Sequence, residues 1–212
     1  MPRAKLKITG VSGLFAAAVL ALVVAHTRAP FAFEQPALKW LGHPSARDTW
    51  LDLAHLLGAP AIGLALAASL ALGFFRRAFL RVVLYAALGA AALLISEQVA
   101  KPLVQRTLDT ALTFPSGHVT AVSATALAMW LALHPLLGTR ARTLTLVLGV
   151  SWTLLMSLAV IGAQWHTPVD VIGSVLLSVG VVCGGAALLE PIARREPLMT
   201  PVRPRTGERE GS

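Results

Sequence analysis

Six blocks of about 20 apolar residues, separated by short polar segments, constrain this chain more than any other feature. They fall at about 8–27, 51–74, 78–100, 117–137, 144–164 and 169–189. A bilayer's hydrocarbon core is about 30 Å thick and takes roughly 20 helical residues to cross. Within it every backbone N–H and C=O must be satisfied inside the segment, which favours helices. The chain has 212 residues, 56% hydrophobic and only 13% charged, too little polar surface for a soluble domain of this size. The expected fold class is therefore all-α: a polytopic membrane protein with about six transmembrane helices. One domain is expected over 1–190. Residues 191–212, rich in Pro, Arg, Glu and Gly and without apolar periodicity, read as a disordered, basic, cytoplasmic tail.

The formal net charge of +8 sits at span ends and in the tails, not on one amphipathic face, which argues against nucleic acid as a partner. Cys183, the single cysteine, lies inside the last block and excludes an internal disulfide or a cysteine-based metal site. The Arg3-Lys5-Lys7 start resembles a signal peptide, but without a small-residue cleavage pattern before His26 a retained first span is favoured. Between the first two blocks, Pro30, Phe31, Phe33, Pro36, Trp40 and Trp50 alternate with polar residues, as in a segment lying at a membrane interface. With both termini in the cytoplasm, thirteen of the 18 Lys and Arg residues face inward. Arg28, Lys39, Arg47, Lys101 and Arg106 face outward. The positive-inside rule selects that orientation. It also brings Lys101, Arg106, Ser116, His118, His166 and Asp170 to the outer ends of spans three to six.

Those six residues, with Gly117, form the candidate site. In Pro115-Ser116-Gly117-His118, serine is a good N-cap, glycine permits close backbone approach, and a helix N-terminus favours an anion. Taken alone, the tetrapeptide is more simply an ordinary helix start with His118 resting at the interface. His166 and Asp170 are four residues apart and share one face if the sixth helix has begun by then. A carboxylate bonded to one imidazole nitrogen would leave the other free to attack. The alternative is a helix-start pair, with Pro168 in the first turn and Asp170 complementing the dipole. Lys101 and Arg106 supply positive charge of the kind phosphoryl transfer needs, and Glu97, one turn before Lys101, reads as its ion-pair partner.

Together these segments resemble the type-two phosphatidic acid phosphatase superfamily, to which the vanadium haloperoxidases also belong. Its signatures are a Lys followed by Arg-Pro, then Pro-Ser-Gly-His, then Ser-Arg ahead of His-x-x-x-Asp. The match covers about 100–170. The resemblance implies a membrane lipid phosphatase in which His166 is the nucleophile that forms a phosphohistidine, Asp170 orients it, and His118 is the general acid. Lys101, Arg106, Ser116 and the Gly117 amide would bind the phosphoryl oxygens. No cofactor and no metal are implied. The partners would be a lipid phosphate substrate (a prenyl phosphate or diphosphate, or a phosphatidate-type lipid) and the bilayer. The expected location is the bacterial plasma membrane with the site facing outward, since high Ala, Leu, Val and Arg usage points to a bacterial source.

Two positions depart from the pattern. Leu108-Asp109 stands where Arg-Pro is usual, with Arg106 as a possible substitute, and Ala159-Val160 stands where Ser-Arg is usual. Losing one charge-assisted phosphoryl contact costs on the order of 3 kcal/mol, near a hundredfold in rate; Gln164 and Arg47 are candidate replacements. An impaired relative that binds lipid phosphate or acts as a scaffold is the alternative function. A transporter is disfavoured because few charges lie mid-membrane and no Gly/Pro-broken span pair recurs in matching halves. A haloperoxidase is disfavoured because those relatives are typically soluble.

Overall fold

The computed structural model describes residues 2–108 and 110–193. Among them are six helical segments long and apolar enough to cross a membrane: Arg3–Thr27, Pro44–Phe75, Phe79–Val104, Gly117–Leu136, Thr139–Gly162 and Pro168–Ile192. Each overlaps one expected block. The last helix continues to Ala193, past the expected boundary at 190, with Pro191 inside it. The rest of the expected tail lies outside the described residues.

Helix α1 (Arg3–Thr27) packs along α9 (Pro168–Ala193). Their approach is so close that a β-carbon at Gly10 would stand 2.4 Å from the Gly184 nitrogen. Between α1 and the second span runs the interfacial segment, with a 3₁₀ turn at Ala32–Glu34 and α2 (Gln35–Leu41). The second span is broken at Gly58 into α3 (Arg47–Leu57) and α4 (Ala59–Phe75), with Pro60 in the first turn of α4, where a missing N–H costs nothing. Helix α5 (Phe79–Ile95) continues through a π-helical turn at Ser96–Ala100 into α6 (Lys101–Val104). Gln105, at φ 54°, ends α6 in the left-handed conformation.

The loop after α6 contains the one departure from an all-helical chain among the described residues. Strands β1 (Thr107–Leu108) and β2 (Ala111–Leu112) pair antiparallel. Helix α7 (Gly117–Leu133) is the most enclosed span and packs against α5, α8 (Thr139–Gly162) and α9. Its apolar residues feed two cores. Ala124, Ala128 and Ala132 join Val82, Tyr85 and Val182, while Val119 and Val122 join Met156, Val160 and Val171. At the far end of the bundle from Gly117, Arg81 donates to the Ala132 carbonyl at 3.0 Å and pairs with Glu190 at 3.5 Å. The Tyr85 hydroxyl also donates to Glu190, at 2.8 Å. Intramembrane charge is thus matched inside the protein.

Candidate active site

Two helix starts meet at one end of the bundle. Ser116 is the N-cap of α7, its hydroxyl accepting from the Val119 amide at 3.4 Å. Its own amide donates to the Asp170 carbonyl at 3.4 Å, and the Ser174 hydroxyl donates to its carbonyl at 3.0 Å. The Pro-Ser-Gly-His turn is therefore fastened to the first turns of α9. His118 follows in the first turn of α7 and is exposed. Its ring faces Trp165 at 5.2 Å between centroids, and Trp165 in turn faces His55 of α3 at 5.8 Å.

His166 lies in the loop between α8 and α9 and is only 6% exposed. Its Nδ1 is 3.0 Å from the Thr113 carbonyl oxygen. A carbonyl can only accept, so Nδ1 carries the hydrogen and Nε2 keeps the lone pair. Burial, followed by the charges of Lys101 and His118, pushes the His166 pKa down to about 3, against a smaller upward effect of the Thr113 bond. The imidazole is thus held neutral, in one tautomer, with the lone pair of Nε2 left free.

The partner expected for His166 was Asp170, but the structure gives Asp170 other contacts. Helix α9 begins at Pro168, two residues after His166, so His166 is not on its first turn. Instead, Thr167-Pro168-Val169-Asp170 forms a capping box. Asp170 Oδ2 accepts from the Thr167 amide at 2.8 Å, and the Thr167 hydroxyl accepts from the Asp170 amide at 3.4 Å. The other carboxylate oxygen accepts from Arg106 Nη1 at 2.9 Å. Asp170 therefore organises the helix start beside His166, and the carbonyl of Thr113 sets the ring.

Arg106 is also placed differently from the expectation. Its side chain is fully buried between two carboxylates, Asp170 and Glu34, with further bonds to the Thr167 hydroxyl at 3.0 Å and the Ala29 carbonyl at 3.4 Å. The Phe31 ring covers the guanidinium at 5.2 Å. A guanidinium so enclosed does not face the open site; it braces the site's frame. Glu34 completes the brace, accepting from the Val169 amide at 3.0 Å and the Phe31 amide at 2.7 Å. Burial raises the Glu34 pKa, but bonds from Thr167, Phe31, Val169 and Arg106 outweigh it and hold the carboxyl below its usual range.

Lys101 is the expected cation that stands beside the α7 N-terminus. Its Nζ bonds to Glu97 at 2.9 Å, the ion pair anticipated from their spacing. Glu97 reaches further than that spacing implied. Its Oε1 stands 2.1 Å from where a β-carbon would lie on Gly117, with Lys101 Nζ 3.7 Å from the same point. Only glycine at 117 leaves room for this carboxylate. Gln164, a candidate replacement for the absent arginine, turns its amide 3.4 Å from the Gly42 carbonyl instead. Arg47, the other candidate, is exposed at the start of α3. Among the described residues no three His, Cys, Asp or Glu side chains gather as a metal ion would require.

An apolar groove of about 440 Å³ opens between α1, α6 and α9, touched by Leu22, Val99, Leu103, Phe114 and Pro115. Its lining ends one residue short of Ser116.

Residues 97–190 match the family model of the PAP2 superfamily, a stretch that starts at Glu97 and includes Lys101, both histidines and Asp170. That stretch covers a little under half of the chain. Its fold is similar to a crystal structure described as the first transmembrane PAP2 type phosphatidylglycerolphosphate phosphatase from Bacillus subtilis. The two align over 92% of this chain and 99% of that one, with a TM-score of 0.62 and 16% sequence identity. No curated protein matches the chain significantly. Six apolar spans and the shared fold make it a multi-pass membrane protein. Glu34 lies outside the family segment, on the interfacial stretch, and no sequence pattern announced it. Trp165 and Thr113 were also missed, the first a neighbour of a motif histidine, the second contributing only its carbonyl.

Proposed function

We propose that this protein hydrolyses a phosphomonoester or diphosphate of a lipid at the outer membrane face through a phosphohistidine. The observation that carries this reading is His166: buried, neutral, and bonded through Nδ1 to a carbonyl, so that Nε2 alone can attack. Nε2 forms a bond to phosphorus while the bond from phosphorus to the lipid oxygen breaks. The leaving oxygen takes its proton from the His118 imidazolium, which thereby becomes neutral. Water then attacks the phosphohistidine as His118 accepts its proton, the N–P bond breaks, and phosphate leaves. His118 suits this double duty because it is exposed at the head of α7, with its ring facing Trp165.

The developing charge on the phosphoryl oxygens falls to Lys101 and to the first amides of α7, whose partial positive charge favours an anion. Ser116 contributes as the cap that holds those amides in place. Asp170 acts as a positioning residue for the loop that carries His166, and Arg106 as its counter-ion. No metal enters these steps. Thirteen inward Lys and Arg against five outward support the outer face, with both termini in the cytoplasm. The groove reaching Pro115 supports a substrate whose tails stay between the spans. A bacterial plasma membrane fits the composition.

The test is phosphate release by purified protein in chelator-treated detergent from prenyl diphosphate, prenyl phosphate, phosphatidate and phosphatidylglycerophosphate. Release from at least one lipid, inhibition by vanadate, and loss in His166→Ala are expected. A His166→Ala protein as active as wild type sinks the mechanism. A second reading, a lipid-phosphate binder without turnover, is favoured by Arg106 being enclosed and Val160 being buried. It predicts equally negligible release by wild type and His118→Ala, with lipid binding intact.

A further inference from the structure

The phosphate position proposed above already has a carboxylate beside it. Glu97 reaches the head of α7 because the π-helical turn at Ser96–Ala100 inserts an extra residue at the end of α5. There its two oxygens divide their work: Oε2 holds Lys101 Nζ at 2.9 Å, and Oε1 lies against Gly117. An anion bound by Lys101 and the α7 amides would meet both atoms. Glu97 keeps 35% of its side-chain surface exposed, so it can swing away without disturbing a packed core.

We infer that Glu97 is a specificity-determining residue, a resident counter-anion that an incoming phosphate must displace from Lys101. This rests on the phosphate-site reading above. The physical consequence is discrimination by charge. A terminal phosphomonoester carries two negative charges near neutral pH and competes well with a single carboxylate for one ammonium. A phosphodiester headgroup carries one charge, gains no electrostatic advantage over Glu97, and is repelled while Glu97 stays seated. Phosphodiester lipids surround such an enzyme in any bilayer, so a site open to every anion would be filled by them. Specificity of this kind comes from the repulsive element as much as from the attractive one.

The experiment is calorimetric titration of the full-length protein in detergent at about pH 8 with inorganic phosphate, a dianion there, and dimethyl phosphate, a monoanion. Neither needs turnover. Wild type is expected to prefer phosphate. In Glu97→Gln, dimethyl phosphate is expected to bind roughly three- to tenfold tighter, the range for removing one partly exposed competing charge, and its gap to phosphate to narrow. Glu97→Asp, which keeps the charge but draws it back from Gly117, is expected to fall between the two. If Glu97→Gln binds dimethyl phosphate no tighter than wild type does, or more weakly, Glu97 merely positions Lys101 and the inference is overturned. If neither protein binds either anion, the phosphate site itself is wrong and this role falls with it.

Discussion

Replacing Arg106 separates the role suggested by its place in the motif from the role its surroundings give it. The side chain and both of its carboxylate partners, Asp170 and Glu34, are fully shielded. Removing one partner of a buried ion pair costs about 3–5 kcal/mol, because the remaining charge stays desolvated without compensation. Arg106→Ala leaves two such carboxylates and strips a donor from Thr167, so the upper part of that range applies. For a domain of this size each kcal/mol moves the melting temperature by roughly 2–4 °C, so a fall on the order of 10–20 °C is expected. The five tryptophans allow the melt to be followed by intrinsic fluorescence in detergent. Adding Glu34→Gln to Arg106→Met removes one of the stranded charges, so the double variant should melt higher than the sum of the two single losses implies. A phosphate ligand at an open site would behave otherwise. Its loss would raise KM while stability stayed within about 0.5 kcal/mol. An Arg106→Ala protein that melts within about 1 °C of wild type but binds substrate poorly would refute the brace.

Three further outcomes follow from the same geometry. The His166 ring is expected to stay neutral until pH falls toward about 3, so its NMR signals should not titrate through the ordinary histidine range; a midpoint near 6.5 would contradict its burial. His118→Ala is expected to slow hydrolysis of lipid phosphates by about 10²–10⁴ but to slow an activated nitrophenyl phosphate far less, since a good leaving group needs no proton; equal losses on both would remove His118 as the acid. Thr167→Val breaks the capping box at α9 and is expected to cost about 0.5–2 kcal/mol in thermal unfolding. No change in that melt would mean the box does not organise the loop.

What the sequence made legible were features with strong local signals. Each span announced itself as a block of apolar residues, and Ser116, Gly117 and His118 announced a helix start that the structure places at Gly117. The Glu97–Lys101 pair followed from helical spacing. The misplacements share one cause: a side chain's neighbours from distant sequence cannot be read from its own segment. Arg106 is drawn inward by Glu34, 72 positions upstream on the interfacial stretch. Asp170 satisfies two local patterns at once, His-x-x-x-Asp and Thr-x-x-Asp. Which one it obeys depends on whether α9 starts before or after His166. Because it starts at Pro168, the threonine wins, and the histidine finds a carbonyl 53 positions away instead. Glu97's seat on Gly117 depends on a π-turn that no periodicity signals.

The absent third-segment arginine acquires a physical setting from Val160. Its side chain is fully buried and packs in the apolar core with Val119, Val122 and Val171. Its carbonyl accepts from the Trp165 amide at 3.0 Å and the His166 amide at 3.3 Å, so the backbone here still fastens the histidine loop while the side chain serves the core. An arginine at this position could not simply be restored, because it would bury a charge among valines unless the top of α8 rearranged. With Arg106 also committed to carboxylates, the proposed phosphate site has Lys101 and the head of α7 to meet the phosphoryl charge. A cradle with so little positive charge holds its product weakly as well as its substrate. In the role proposed for it, Glu97 would reclaim Lys101 as phosphate departs and push the balance further toward release. The proposed reaction would then be limited by the chemistry at the histidine pair, with its product leaving readily.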